Sequence, residues 1–182
     1  MKKSLFLVGL LSASTMFAET QFFVGAGFDR TDTDAKASSG AVSISDSIKA
    51  NGYKIKAGVI VDDNYRTSIS YSGYSKNGDD VKLGLLNFDY LIALPYEKTK
   101  LILGAHAGMS KYDEDTNTVK DTAFSYGLQT GVLYDITSNV SFEVNLAYTR
   151  LNLEDNVVIS GVPVKAELED AMTMGFGINY KF

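Results

Sequence analysis

Residues Ala171–Phe182 read AMTMGFGINYKF, and the alternation in this stretch decides the fold. Met172, Met174, Phe176, Ile178, Tyr180 and Phe182 are apolar or aromatic; Thr173, Gly175, Gly177, Asn179 and Lys181 between them are small or polar. Successive side chains of a strand point to opposite faces, so this is one strand with an oily face and a wet face. Phe182 is the last residue of the sequence.

Working towards the N-terminus, the same pattern predicts seven more strands. The eight segments are Thr20–Thr31, Lys49–Val61, Tyr65–Ser75, Val81–Leu94, Lys100–Tyr112, Thr122–Ile136, Val140–Leu153 and Ala171–Phe182. The oily parity carries Phe22, Val24, Ala26 and Phe28 in the first, Tyr53, Ile55, Ala57 and Val59 in the second, and Leu86, Phe88, Tyr90 and Ile92 in the fourth. It carries Phe124, Tyr126, Leu128 and Val132 in the sixth, and Phe142, Val144, Leu146 and Tyr148 in the seventh. The third and fifth are weaker, with Thr67, Ala105 and Ala107 on that side. Glycines (Gly25, Gly27, Gly58, Gly84, Gly104, Gly108, Gly127, Gly131, Gly175 and Gly177) are assigned to the polar parity, as a narrow interior shared by eight strands requires.

The connections alternate in length. Asp62–Asn64, Pro95–Thr99 and Thr137–Asn139 are short and turn-like. Asp32–Ile48, Asp113–Asp121 and Glu154–Asp170 are long and polar, with Lys76–Asp80 a short exception on the long side. Val157–Leu168 (VVISGVPVKAEL) is read as a hairpin beyond the membrane. A soluble eight-stranded barrel would also alternate, with the oily face inside. Glycines on the polar face, aromatics at the ends of the oily stripes and the final Phe182 favour the membrane form. In lipid only a closed barrel satisfies the backbone of every strand. The predicted fold is all-β: an eight-stranded antiparallel up-and-down transmembrane β-barrel.

The terminal strand, with Phe176, Ile178, Tyr180 and Phe182, resembles the C-terminal signature of bacterial outer-membrane barrels. The whole stretch from Glu19 to Phe182 resembles the small outer-membrane β-barrel family that includes the OmpX, opacity-protein and OmpA-barrel types. The resemblance implies a location in the bacterial outer membrane and recognition of the last strand by the barrel assembly machinery. It also implies contact with outer-membrane lipid and lipopolysaccharide.

The N-terminus fits export. Lys2 and Lys3, the apolar run Leu5–Leu11 and the small-residue stretch Ser12–Ala18 read as a cleaved signal peptide over residues 1–18, leaving a barrel domain over 19–182. The chain has no cysteine, which excludes disulfides, a lipid-modified cysteine and cysteine catalysis. Removing Lys2 and Lys3 takes the formal charge from −5 to −7, which argues against nucleic acid as a partner.

Two sets of charged residues are candidate sites. Asp29, Lys54, Lys56, Arg66, Asp89, His106 and Glu143 fall on the inward parity and are expected to form a paired network, because an isolated charge there is costly. That network reads as a plug, with a polar ion path as the alternative. Arg30, Lys49, Lys82, Lys111, Lys120 and Arg150 fall on the lipid-facing parity near the outer ends of their strands. They form a basic collar for lipopolysaccharide phosphates, or else snorkel as any interfacial base does. Catalysis lacks support: His106 faces inward without an identifiable Ser partner. No phosphate loop or zinc spacing is present, and no cofactor or metal is expected. Asp113–Asn117 starts like a calcium loop, but Thr118 and Phe124 stand where Gly and Glu belong. The functional expectation is a monomeric barrel with a structural or adhesion-like surface role, its acidic external loops meeting the environment, a host surface or a partner. A narrow porin-like channel is the alternative, and an outer-membrane lipid-modifying enzyme a third class.

Overall fold

The computed structural model describes residues 19–39, 42–76, 79–96, 98–113, 120–159 and 162–182. Side chains are described for 19–34, 47, 49–75, 80–96, 98–111, 122–151 and 170–182. The predicted signal peptide lies outside these residues. Eight strands follow one another: β1 (Thr20–Ser39), β2 (Val42–Val61), β3 (Tyr65–Lys76), β4 (Asp79–Ala93), β5 (Thr99–Asp113), β6 (Lys120–Asp135), β7 (Val140–Ile159) and β8 (Val162–Lys181). Each pairs antiparallel with the next, and β8 closes onto β1.

The register fixes the shape. Phe22 pairs with Val59, which pairs with Thr67, and the line runs on through Phe88, Ala105, Leu128, Tyr148 and Met172 to Asp32. One circuit therefore climbs from Phe22 to Asp32, ten residues along β1. Such a stagger means tilted strands and a lumen just wide enough for side chains. A partner on the next strand stands about one residue higher along the barrel axis.

The alternation places apolar side chains outside. Val24, Phe28, Ile69, Phe88, Leu128, Met174 and Ile178 are all exposed in the isolated chain, as lipid-facing residues are. Allowing for the climb, Phe22, Tyr65, Tyr90, Tyr134 and Tyr180 lie within about two residues of one height. Phe28, Tyr53, Tyr71, Tyr126 and Tyr148 form a second ring higher up, and the two bracket the apolar band. Gly84 corrects one assignment. It shares the parity of Leu86 and Phe88 and is exposed, with open space where a side chain would start.

The short connections are tight. Asp62 and Asp63 adopt φ of 49° and 59°, a left-handed conformation that Asp tolerates better than most residues. The Asn64 side-chain amide donates to the Leu91 carbonyl at 2.8 Å, tying the first turn to β4. In the third turn the Thr137 hydroxyl accepts from the Val140 N–H at 3.0 Å.

One long connection differs from expectation and another agrees with it. Asp32–Ile48 is not a loop: β1 and β2 stay paired out to Ser39 and Val42. The hairpin expected over Val157–Leu168 is present and its pairing starts earlier, with Glu154 facing Glu167 and Ile159 facing Val162. Outside lipid a strand needs a backbone partner but no continuous apolar face, so Ser, Asp and Lys sit in it readily. Register shifts mark where this sheet leaves the barrel, between Thr33 and Ala35 on β1 and between Arg150 and Leu153 on β7.

Candidate functional site

The interior is built on a pairing rule between adjacent strands. Asp29 faces Gly175, Lys54 faces Gly27, Lys56 faces Gly25, Asp89 faces Gly104, His106 faces Gly127 and Glu143 faces Gly177. Each long polar side chain lies over a neighbour that has none. At Gly175, Gly104 and Gly127 an added Cβ would collide with Asp29, Asp89 and His106 respectively. A lumen closed by eight strands has no other room for these groups.

The glycines let the charges meet. Arg66 on β3 contacts Asp89 at 2.8 Å and Glu143 at 2.6 Å. Lys56 reaches Glu143 at 2.7 Å, and the Asn179 amide donates to the same carboxylate at 3.2 Å. The Gln129 amide donates to the other oxygen of Asp89. Lys56, Arg66, Asp89 and Glu143 are thus one lattice. Lys54 and Asp29 form a separate pair at 2.9 Å, with the Tyr74 hydroxyl donating to Asp29 at 3.1 Å. His106 stands apart. Its Nε2 lies 3.0 Å from the Thr149 hydroxyl, and its Nδ1 has no partner. Breaking such a buried pair from one side typically costs about 3–5 kcal/mol.

The inward face also carries a layer that the alternation hid. Phe23, Ile60, Leu91, Ile102 and Leu133 are buried together, each at 5% exposure or less. The register puts them within about two residues of one height, near the short-turn end. The Lys56 ammonium and the Arg66 guanidinium sit over the Phe23 ring at 5.9 and 5.8 Å, so the charge lattice rests on this layer. The signal was present as unbroken apolar runs at the strand ends: Phe22–Phe23, Val59–Val61, Tyr90–Ile92 and Leu101–Leu103. A second buried cluster of Tyr74, Leu83, Leu151 and Ala171 crosses the lumen towards the outer end. Between the two lies a polar cavity of ≈ 30 Å³. Below the lower layer, Lys181 pairs with Asp135 at 2.7 Å.

Outside, Arg30, Lys49, Lys111 and Arg150 are exposed, and Lys82 is half-buried on the same face. Lys82 and Lys111 are directly opposite each other. With the climb included, these five stand within about three residues of one height. Lys49 lies 3.6 Å from Asp32, Lys82 3.9 Å from Asp80 and Arg150 3.9 Å from Asp170. Lys120 opens β6, and its side chain lies outside the described set, as do the Asp113 side chain and residues 114–117 of the acidic stretch. Among the described residues, no three His, Cys, Asp or Glu side chains converge as a metal would require. Phe176, Ile178 and Tyr180 on β8 and Phe182 just beyond it all face outward, and the Phe182 ring stacks on Phe22 with centroids 6.5 Å apart.

The model of the family described as outer membrane protein beta-barrel domain matches residues 4–182. No curated protein matches the chain. Among solved structures, it is similar to Neisserial surface protein A (NspA) at 23% identity, covering 88% of this chain and 97% of that one, with a TM-score of 0.61. Outer membrane protein H (OprH) from P. aeruginosa matches at 21% identity, over 87% and 99% of the two chains, with a TM-score of 0.57. Ail, the attachment invasion locus protein of Yersinia pestis, matches at 15% identity, over 90% and 99%, with a TM-score of 0.51. At these identities the likeness is one of fold.

Proposed function

This chain belongs to the outer membrane protein β-barrel domain family and resides in the bacterial outer membrane; from that premise we propose that it is a closed barrel whose work is done by a raised surface sheet. One observation carries the proposal. β1, β2, β7 and β8 are 20 residues each, whereas β3 to β6 have 12 to 16. About ten residues cross the apolar band. These four strands are neighbours in the barrel, so their surplus stands outside the cell as one continuous four-stranded sheet. A sheet held this way is suited to meeting an environment, a host surface or a partner, and the filled lumen beneath it anchors it rigidly.

The test has two arms. Protease on intact cells should cut within Glu154–Asp170 and leave Thr137–Asn139 untouched; cleavage at Thr137–Asn139 would reverse the orientation. In planar bilayers the wild-type barrel should give no unitary conductance steps. Reproducible steps would favour the porin-like alternative.

A further inference from the structure

The lumen is stacked in three storeys. Phe23, Ile60, Leu91, Ile102 and Leu133 form the lowest, and Tyr74, Leu83, Leu151 and Ala171 the highest. The hydroxyls at the height of the upper storey, on Thr31, Ser110 and Ser125, are bonded within the protein, so its free surface is apolar. The middle storey is lined by hydroxyls, amides and charges, among them Ser70, Asn87, His106, Asn145 and Thr149. Its cavity of ≈ 30 Å³ has room for about two water molecules. His106, only 4% exposed, has an unpartnered Nδ1. A buried polar atom of that kind calls for water or another hydrogen-bonding guest.

We propose that the barrel contains a latent path for water and small ions, shut by its two apolar storeys and not by the ion pairs between them. Charged and hydroxyl groups offer water hydrogen bonds in place of those it leaves behind. A narrow apolar constriction offers none and gates by dewetting. The middle storey carries little electrostatic bias. Lys54 is matched by Asp29, and Lys56 and Arg66 by Glu143 and Asp89, each within 2.9 Å. Lid and lattice are also mechanically coupled, because Lys56 and Arg66 both sit over Phe23. Displacing the Phe23 ring would loosen the cations above it as well as the layer it belongs to. The proposal rests on the closed-barrel reading and says what keeps the barrel closed.

The experiment is potassium efflux from vesicles holding the folded barrel, with heat-modifiable migration as the check on folding. Phe23→Ser opens the lower storey, Leu151→Ser the upper, and Glu143→Gln breaks the lattice alone. The wild type and all three single variants should stay at the leak of empty vesicles. Phe23→Ser combined with Leu151→Ser should raise efflux by about tenfold or more, as expected once no dewetted constriction remains. Should that pair fail to fold, Phe23→Ala with Leu151→Ala is read the same way. Conduction by Glu143→Gln with both apolar storeys intact overturns the proposal, and so does a folded double variant that stays sealed. A conducting wild type would instead sink the closed-barrel reading itself.

Discussion

Asp89 faces Gly104 across the β4–β5 ladder, and its carboxylate fills the space where a side chain at 104 would begin. The same carboxylate holds Arg66 at 2.8 Å and accepts from Gln129. The absence of one methyl group on β5 therefore sets the position of a charge lattice that spans β2, β3, β4 and β7.

Gly104→Ala must push Asp89 off this seat. Small-to-large changes in packed interiors cost about 1–3 kcal/mol, and the displaced carboxylate also weakens its hold on Arg66. Gly175→Ala should behave alike, since an added Cβ there would meet Asp29. Gly84→Ala is the control: it faces outward into open space and should stay within about 0.5 kcal/mol of wild type. Urea titration of the lipid-reconstituted barrel ranks the three. Equal midpoints for Gly104→Ala and Gly84→Ala would show that the interior gives way freely.

Arg66 bonds two acids at once, so its removal strands both. Arg66→Met should lose up to about 3–5 kcal/mol, the usual cost of leaving buried partners uncompensated. Glu143→Gln in that background should then cost less than it does alone, with a coupling of about 1 kcal/mol or more. The same cycle with Asp89→Asn should show coupling of similar size. Additive losses in both cycles would mean that the three side chains do not act as one lattice.

The barrel itself was legible because one parity runs unbroken through lipid. Phe22 to Phe28, Leu86 to Ile92 and Met172 to Phe182 each declare a strand and its outer face. Two things escaped that rule. The lowest storey did, because Phe23, Ile60 and Leu91 sit beside outward apolar residues, and a run of apolar residues has no parity to read. The β1–β2 half of the raised sheet did, because Asp32–Ile48 lacks the oily alternation that only lipid demands, whereas Val157–Leu168 reads as a hairpin and is one. The pairing of the β1–β2 half depends on backbone partners supplied by β1 and β2 themselves. The interior ion pairs lay between these extremes. Sequence puts Arg66 and Glu143 at similar depth on one face and joins them with Asp89 in one network, as the ion pairs have them; the added contacts of Lys56 to Glu143 and Gln129 to Asp89 depend on the stagger between strands far apart in the chain.

The last strand should be needed for assembly more than for export. The Phe182 N–H donates to the Phe22 carbonyl at 3.0 Å, and the Phe182 ring packs on Phe22 and Tyr180. Asn139 anchors the neighbouring residue, donating to the Lys181 carbonyl at 2.9 Å. Deleting Phe182 should lower the amount of folded, heat-modifiable protein in the outer membrane while leaving the exported pool intact. Unchanged folded yield would show that Tyr180, Ile178 and Phe176 suffice.

The basic collar predicts a lipid preference. Arg30, Lys49, Lys82, Lys111 and Arg150 stand on the lipid-facing side within about three residues of one height, and Lys120, at the start of β6, stands about three residues above the highest of them. Lys82 and Lys111 are directly opposed, with Asp80 3.9 Å from Lys82, so two positive charges share one spot on this face. An anionic group lying between them would make charge-assisted contacts to both, and a lipopolysaccharide phosphate is the expected one. The chain's own acids compete for the same bases: Asp32 sits 3.6 Å from Lys49 and Asp170 3.9 Å from Arg150. Those exposed pairs contribute little, about 0–1 kcal/mol each, so a phosphate can displace them. Neutralising Arg30, Lys49, Lys111 and Arg150 together to Gln should lower co-purifying lipopolysaccharide several-fold and leave refolding in neutral detergent unchanged. Raising the salt should weaken the wild type towards the variant, because exposed charge contacts are screened. Equal lipopolysaccharide retention by the two proteins at low salt would reduce the collar to ordinary snorkelling bases.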